Sequence, residues 1–249
     1  WMAVANALKT PEDFTEQGPL AWPAHITFEH IIKFWNDSNF PLKFWNSTWT
    51  SLAGAAITVS LGFLTAYAIG IGKVKGRTWI LGVFMVAFTI PQEALIYPLY
   101  NAAKKLNLYD NLFSIVLIFG ITGVAFSTYL ISSVLNEFPH EVLEAAKIDG
   151  ANAWRMMVDV VLPILRPTLM VITVMVFIYN WNEFLIPLVL LPSNDNQTVS
   201  LGIALTVGQW TTEPTARAAA ALLGALPSIL FFVIFQRSLM RGVTMGSSK

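Results

Sequence analysis

Residues 112–135 read LFSIVLIFGITGVAFSTYLISSVL, an apolar run without a single charged side chain. A helix needs about 20 residues to cross the hydrocarbon core of a bilayer, and this run is long enough. Four further segments share its character, at about 50–72, 78–100, 168–191 and 216–239. Buried helices of a water-soluble protein would carry polar stripes every third or fourth residue; these segments lack them. Composition agrees, with 55% hydrophobic and 12% charged residues against about 25% charged in a soluble domain. The sequence predicts an all-α, polytopic membrane helical bundle.

Several chemistries are excluded at the outset. The net charge is zero, which argues against nucleic acid as a partner. There is no cysteine, hence no disulfide, thiolate metal site or thiol nucleophile. His25, His30 and His140 are scattered without metal-ligand spacing, and no nucleophile–base pair can be assembled from them. Gly72-Lys73 is the only Gly-Lys pair. Val74 follows it where a phosphate-binding loop needs Ser or Thr, and Tyr67 stands in place of the first loop glycine. The chain is therefore read as no enzyme, with no metal and no cofactor bound by itself.

The connectors set the topology. Lys73-Val74-Lys75-Gly76-Arg77 is short and basic, and such loops stay cytoplasmic. Alternation then places 101–111 outside, the loop 136–167 inside, 192–215 outside and the tail with Arg237, Arg241 and Lys249 inside. Lysine and arginine number nine inside (73, 75, 77, 147, 155, 166, 237, 241, 249) and six outside (9, 33, 43, 104, 105, 217); Lys104 and Lys105 weaken the bias. Residues 1–8 are expected to be the outer end of a preceding span, so that 1–49 comprises that end and an external segment, and 50–249 the transmembrane domain. Within 9–49, Thr27 can cap a short helix with Phe28, Ile31, Ile32 and Trp35 on one side. That helix is open to two readings: a surface for an external partner, or an amphipathic helix in the lipid headgroups with Trp35, Trp45 and Trp49 as anchors.

The inside loop holds a charged, helix-prone island. Pro139 suits a first helical turn, and Glu141 and Glu144 sit near the positive end of that helix. Val142, Ala145, Ala146 and Asp149 recur at helical spacing, with Lys147 beside them. Gly150 fits a C-terminal cap with positive φ. Trp154, Met157, Val158 and Val161 mark a second amphipathic stretch, after which Pro163 and Pro167 limit continuous helix. A short helix docked in a partner's cleft and a loop lying on the membrane both fit.

Glu144-Ala145-Ala146, Gly150, Val160 and Leu162-Pro163 stand at the spacing of the signature of inner-membrane permeases of ATP-binding-cassette (ABC) importers, with Val160 where isoleucine is usual. Residues 180–184 (Asn-Trp-Asn-Glu-Phe), Ile90-Pro91-Gln92-Glu93 with Pro98-Leu99-Tyr100, and Gln236-Arg237 with Arg241-Gly242 resemble the maltose-type carbohydrate-uptake permeases, more narrowly their second, six-span subunit. The resemblance implies a type I ABC importer permease, with its first span largely outside these residues, in a bacterial or archaeal inner membrane. It implies a homologous permease as heterodimer partner, two ATPase subunits carrying ATP and magnesium, and an extracytoplasmic substrate-binding protein. It makes 139–150 the coupling helix, with Glu141, Glu144, Ala145, Ala146, Lys147, Asp149, Gly150, Leu162 and Pro163 as ATPase-coupling residues.

Polar residues inside the spans have two readings each. Tyr179, Asn180, Asn182 and Glu183 share one side of an ideal helix, lining a sugar pathway or bonding to a neighbouring helix or partner permease. Gln92 and Glu93 follow Pro91 at a gate or a packing kink. Glu213 and Arg217 suit a local ion pair, and Gly54, Gly62, Ala66, Gly70 and Gly72 suit close helix packing. The expected function is the permease subunit of an ATP-driven sugar importer. The competing expectations are an ion-coupled secondary transporter using Glu93 or Glu183, and an ABC permease for another solute such as a polyol phosphate.

Overall fold

The computed structural model describes residues 1–72, 74–209 and 213–245, with the backbone alone over 206–209 and 235–245. Lys73 and Lys249 lie outside the described residues, as do the side chains of Gln236, Arg237 and Arg241. Three short helices open the chain: α1 (Met2–Ala7), α2 (Pro11–Gln17) and α3 (Glu29–Asp37). They are followed by α4 (Phe40–Gly70), α5 (Arg77–Thr89), α6 (Gln92–Lys105), α7 (Leu112–Thr122) and α8 (Val124–Asn136). Next come α9 (His140–Ile148), α10 (Ala153–Arg155), a π-helical turn over Met156–Val161, and α11 (Leu162–Asn182). The chain ends with α12 (Leu185–Leu190), α13 (Val199–Gln209) and α14 (Pro214–Met245). No β-strand occurs among the described residues.

Among the described residues, four helical stretches are long and apolar enough to cross a membrane: Phe40–Gly70, Leu112–Asn136, Ala153–Asn182 and Pro214–Ile234. The fifth expected span, 78–100, is instead the pair α5 and α6, bent by 92°. Pro91 has no N–H to continue the ladder and forces Ile90 out of helical conformation, to φ −70° and ψ 121°. The first span begins at Phe40, not Thr50, so the boundary expected at 49/50 falls inside α4. The fourth begins at Ala153 and ends at Asn182, in place of 168–191. Pro163 and Pro167 do not stop it. The preceding π turn shifts the ladder to i→i−5, with Leu162 N–H reaching Met157 O, and Pro163 then sits in the first turn of α11, where its missing N–H costs little. The stretch 192–215, expected outside, also contains a helix, α13, which the hydropathy pattern does not predict.

The chain forms two compact units by contact. One comprises 51–97, 116–180 and the chain from 234 on. Its core depends on a row of small residues on α4. A Cβ built on Gly54 would lie 2.8 Å from Phe119 Cβ, and one on Gly62 would strike Ser127 Oγ. Between them, the buried Thr58 hydroxyl donates to Phe119 O and Gly120 O, both at 3.0 Å. Backbone thus approaches backbone, as expected of small-residue packing in lipid.

The other unit comprises 1–50, 98–115 and 181–233. Polar side chains at the start of α4 are buried here and bonded to the stretch before α13. Lys43 Nζ donates to Asn194 Oδ1 at 2.7 Å, Asn46 Nδ2 to Asp195 O at 2.8 Å, and Val199 N–H to Ser47 Oγ at 2.8 Å. These partners explain the early start of α4. Lys104, one of the two lysines that weaken the charge bias, lies 4.7 and 5.2 Å from the Tyr100 and Tyr109 ring centres. In α3 the inward side carries His30 and Phe34, while Phe28, Ile32 and Trp35 are exposed. Thr27 Oγ1 accepts the Glu29 N–H at 3.2 Å, but the residue in the cap position is Phe28.

Asp110 ties two loops of this unit together. Its N–H donates to Leu190 O at 2.9 Å, and its carboxylate accepts the Ser193 N–H, the Ser193 hydroxyl and the Asn196 amide. Burial pushes its pKa up, but the Ser193 and Asn196 bonds outweigh this and hold it below the ordinary 3.8. Stability from this carboxylate is therefore present above pH 3.8 and lost as pH falls through the lower folded value. Asp110→Asn is expected to lower the melting temperature at neutral pH, with the gap to wild type closing below that range; a gap constant from pH 7 to 3 would contradict it. Gly62→Ala is expected to cost about 1–3 kcal/mol by overpacking, measured by thermal unfolding in detergent, with Ser127→Gly restoring part of the loss.

Candidate functional site

The segment 139–150, expected to be the coupling helix, is built from the end of α8 outward. Leu135 and Phe138 are buried, and Phe138 N–H bonds Leu135 O at 3.2 Å, closing α8 tightly. Pro139 follows in extended conformation at the N-cap of α9, one position before the first turn that its sequence context suggests. Glu141 in the first turn and Lys147 in the last both complement the helix dipole.

α9 ends as the glycine position requires. Gly150 has φ +80°, its N–H bonds Lys147 O at 3.0 Å, and Ala151 N–H bonds Ala146 O at 2.9 Å. Together these form a Schellman closure, which places a residue without a side chain in the left-handed region. Asn152 then starts the next helix, its Oδ1 accepting the Arg155 N–H at 2.9 Å.

A single apolar side chain seats α9. Leu143 is 8% exposed, Val142 and Ala146 are half-buried, and α9 packs on the π turn. Glu141, Glu144, Ala145, Lys147, Asp149 and Gly150 all face solvent. So does Ile148, which is 86% exposed, and Trp154 beyond the turn is 67% exposed. Uniform helical spacing puts Trp154 on the same side as Met157 and Val161. Those two are buried within the π turn, whose altered period departs from the 100° spacing. Leu162 is half-buried and Pro163 exposed. Ile148 and Leu143 escape a reading centred on the charges of this island; an isolated isoleucine among charged residues is the signal that marks the first of them.

The intramembrane polar residues separate. Asn180 is buried, its Nδ2 donating to Ser51 O at 3.4 Å, which is the neighbouring-helix reading. Asn182 is exposed at the last turn of α11. Glu183 lies past the helix end, not on a shared face with Asn180. Its Oε1 accepts the Leu185 and Ile186 N–H groups at 2.9 and 3.1 Å, capping α12. Gln92 is half-buried and Glu93 exposed, both in the first turn after the Pro91 bend. Among the described residues the expected Glu213–Arg217 ion pair is not formed; Arg217 N–H bonds Glu213 O at 3.2 Å through the backbone.

Four helices long and apolar enough to cross a membrane, with a bent fifth pair, define a polytopic membrane protein among the described residues. Residues 58–244 match the family described as binding-protein-dependent transport system inner membrane component, and the chain belongs to it. It is therefore a multi-pass inner-membrane protein. It is 30% identical to the lactose transport system permease LacG of Rhizobium radiobacter over 249 residues, covering 100% of this chain and 89% of that one. It is 29% identical to the trehalose transport system permease SugB of Mycobacterium tuberculosis, covering 96% and 88%. A crystal structure of a bacterial ABC transporter that imports alginate superposes with TM-score 0.81 at 20% identity, covering 95% of this chain and 88% of that one. The fold is that of an ABC importer permease.

A Cβ added at Gly150 would meet no neighbour within 4 Å, and the left-handed φ itself costs a side chain about 1–2 kcal/mol. Gly150→Val is expected to leave the protein in the membrane with uptake about tenfold lower, while Gly150→Asn, which tolerates positive φ, keeps most of it. Equal uptake by both variants, measured in membrane vesicles, would refute the cap assignment.

Proposed function

We propose that this chain is the permease subunit of an ATP-driven importer of oligosaccharides or related carbohydrates. Two supports meet here: relatives named for lactose and trehalose transport align over nearly the whole chain, and α9 ends in a glycine-closed turn that leaves its outer face open. The second is the observation that carries the coupling role.

In this reading a homologous permease completes the pathway, and an extracytoplasmic binding protein delivers the sugar. Two ATPase subunits hold ATP and magnesium; this chain only receives their motion. Glu144, Ala145, Ala146 and Gly150 present the docking face, Glu141, Lys147 and Asp149 orient it, and Leu162-Pro163 begin the span that moves. Moving a two-state population from 1:99 to 99:1 takes about 5.5 kcal/mol of differential binding, supplied by nucleotide closure and transmitted by the docked helix.

Ion coupling through Glu183 finds little support, since that carboxylate is engaged by two backbone donors. Glu93 is exposed in the turn after Pro91 without a buried partner that a carrier residue would need.

The test is reconstitution of this chain with its partner permease, ATPase and binding protein, assayed with radiolabelled lactose, trehalose and a sugar-phosphate control. Uptake is expected to need ATP and the binding protein, and to persist when proton and sodium gradients are collapsed. Transport by this chain alone, driven by an ion gradient, would overturn the assignment. Preference for the phosphorylated control would move the substrate class away from neutral sugars.

A further inference from the structure

Tyr67 stands near the C-terminal end of α4, and its hydroxyl donates to the carbonyl of Ala153 at 3.0 Å. Ala153 opens α10, just past the turn that closes the coupling helix. The tyrosine is held from both sides. Its own carbonyl accepts the N–H groups of Ile71 and Gly72, each at 3.0 Å. One turn back, the buried Phe63 ring lies 6.4 Å from the tyrosine ring. An apolar helix end does not call for a hydroxyl, because phenylalanine would bury the same ring. The hydroxyl therefore serves the Ala153 carbonyl.

α9 reaches the spans by two covalent routes. One runs back through Pro139 and Phe138 into α8, the other forward through the Gly150 turn into α10 and α11. Neither includes α4. We propose that Tyr67 is a positioning residue for energy coupling: its hydrogen bond clamps the elbow behind α9 to the end of α4, so that α4 moves with the elbow. This rests on the reading of α9 as the ATPase contact. Made in the switched state and not in the other, an exposed, neutral hydrogen bond shifts the equilibrium between them by about five-fold, enough to synchronise a helix and too little to decide whether the protein folds.

The chain has no cysteine, so a single introduced cysteine is its one labelling site, and it reports without background once the partner subunits are made cysteine-free. In the complete transporter in nanodiscs, fluorophores are placed at Leu64→Cys on α4 or Met175→Cys on α11, both exposed positions. The change on trapping with ATP and vanadate is measured with Tyr67 and with Tyr67→Phe. The α4 signal is expected to show a switched-to-unswitched ratio about five-fold lower in Tyr67→Phe, with the α11 signal retained. No change at α4, an equal fall at both sites, or failure of Tyr67→Phe to assemble would each overturn the clamp. An Ala145→Cys crosslink to the ATPase is run alongside. Its absence with Tyr67 intact removes the α9 reading itself; its presence with an unaltered α4 signal removes only the role of Tyr67.

Discussion

A peptide group left unpaired in hydrocarbon costs several kcal/mol, and this constraint governs where the chain can be irregular. Each departure from straight helix has an identifiable partner or relief. At Pro91 the chain turns by 92°, and Ala94 N–H finds Pro91 O at 3.1 Å. Past Asn182, the Glu183 carboxylate takes the first two N–H groups of α12. Before Pro163, a π turn moves the ladder by one residue instead of breaking it. The site is a consequence of these local solutions.

The same constraint explains polar residues that a hydropathy reading places outside the membrane. Lys43, Asn46 and Ser47 are buried because each meets a backbone or side-chain group near 194–199. Lys43 also requires its neighbour to be small: a Cβ on Gly202 would collide with its stem. Residues far apart in sequence thereby extend α4 well beyond its apolar run. Sequence periodicity alone has no means of registering such a partner.

Locality therefore decides which features the amino-acid sequence makes legible. The membrane class and the run 112–135 follow from apolar length, which depends on no tertiary contact. The glycine-closed turn at Gly150 is equally local, since left-handed φ favours glycine in any context. By contrast, the early start of α4 depends on partners near residues 194–199, distant in sequence, whereas the Pro91 right angle and the Glu183 cap are local but leave no mark in hydropathy. Placing Glu183 beside Asn180 supposes a helix that continues; the helix stops one residue short of it. Proline errs in the opposite direction: Pro163 sits in the first turn of α11, where its cost is small, and Pro167 lies inside that helix without ending it.

The energetics of α9 limit what it can do alone. A helix of nine residues is far below the length that is stable in isolation, about 12–15 residues, so its orientation is set by Leu143 and by its two closures. Of its outward side chains, Ile148 is the large apolar one. Fully covering such a side chain contributes about 1.5–3 kcal/mol, and exposed ion pairs through Glu144 or Lys147 add about 0–1 kcal/mol each. Docking in one state only would thus fall short of the roughly 5.5 kcal/mol that a full population reversal demands. In the proposed coupling role α9 is better suited to stay engaged throughout and to transmit displacement, with nucleotide closure supplying the free energy. A transmitter of that kind must be stiff at both ends, and the Pro139 entry and the Gly150 closure make it so.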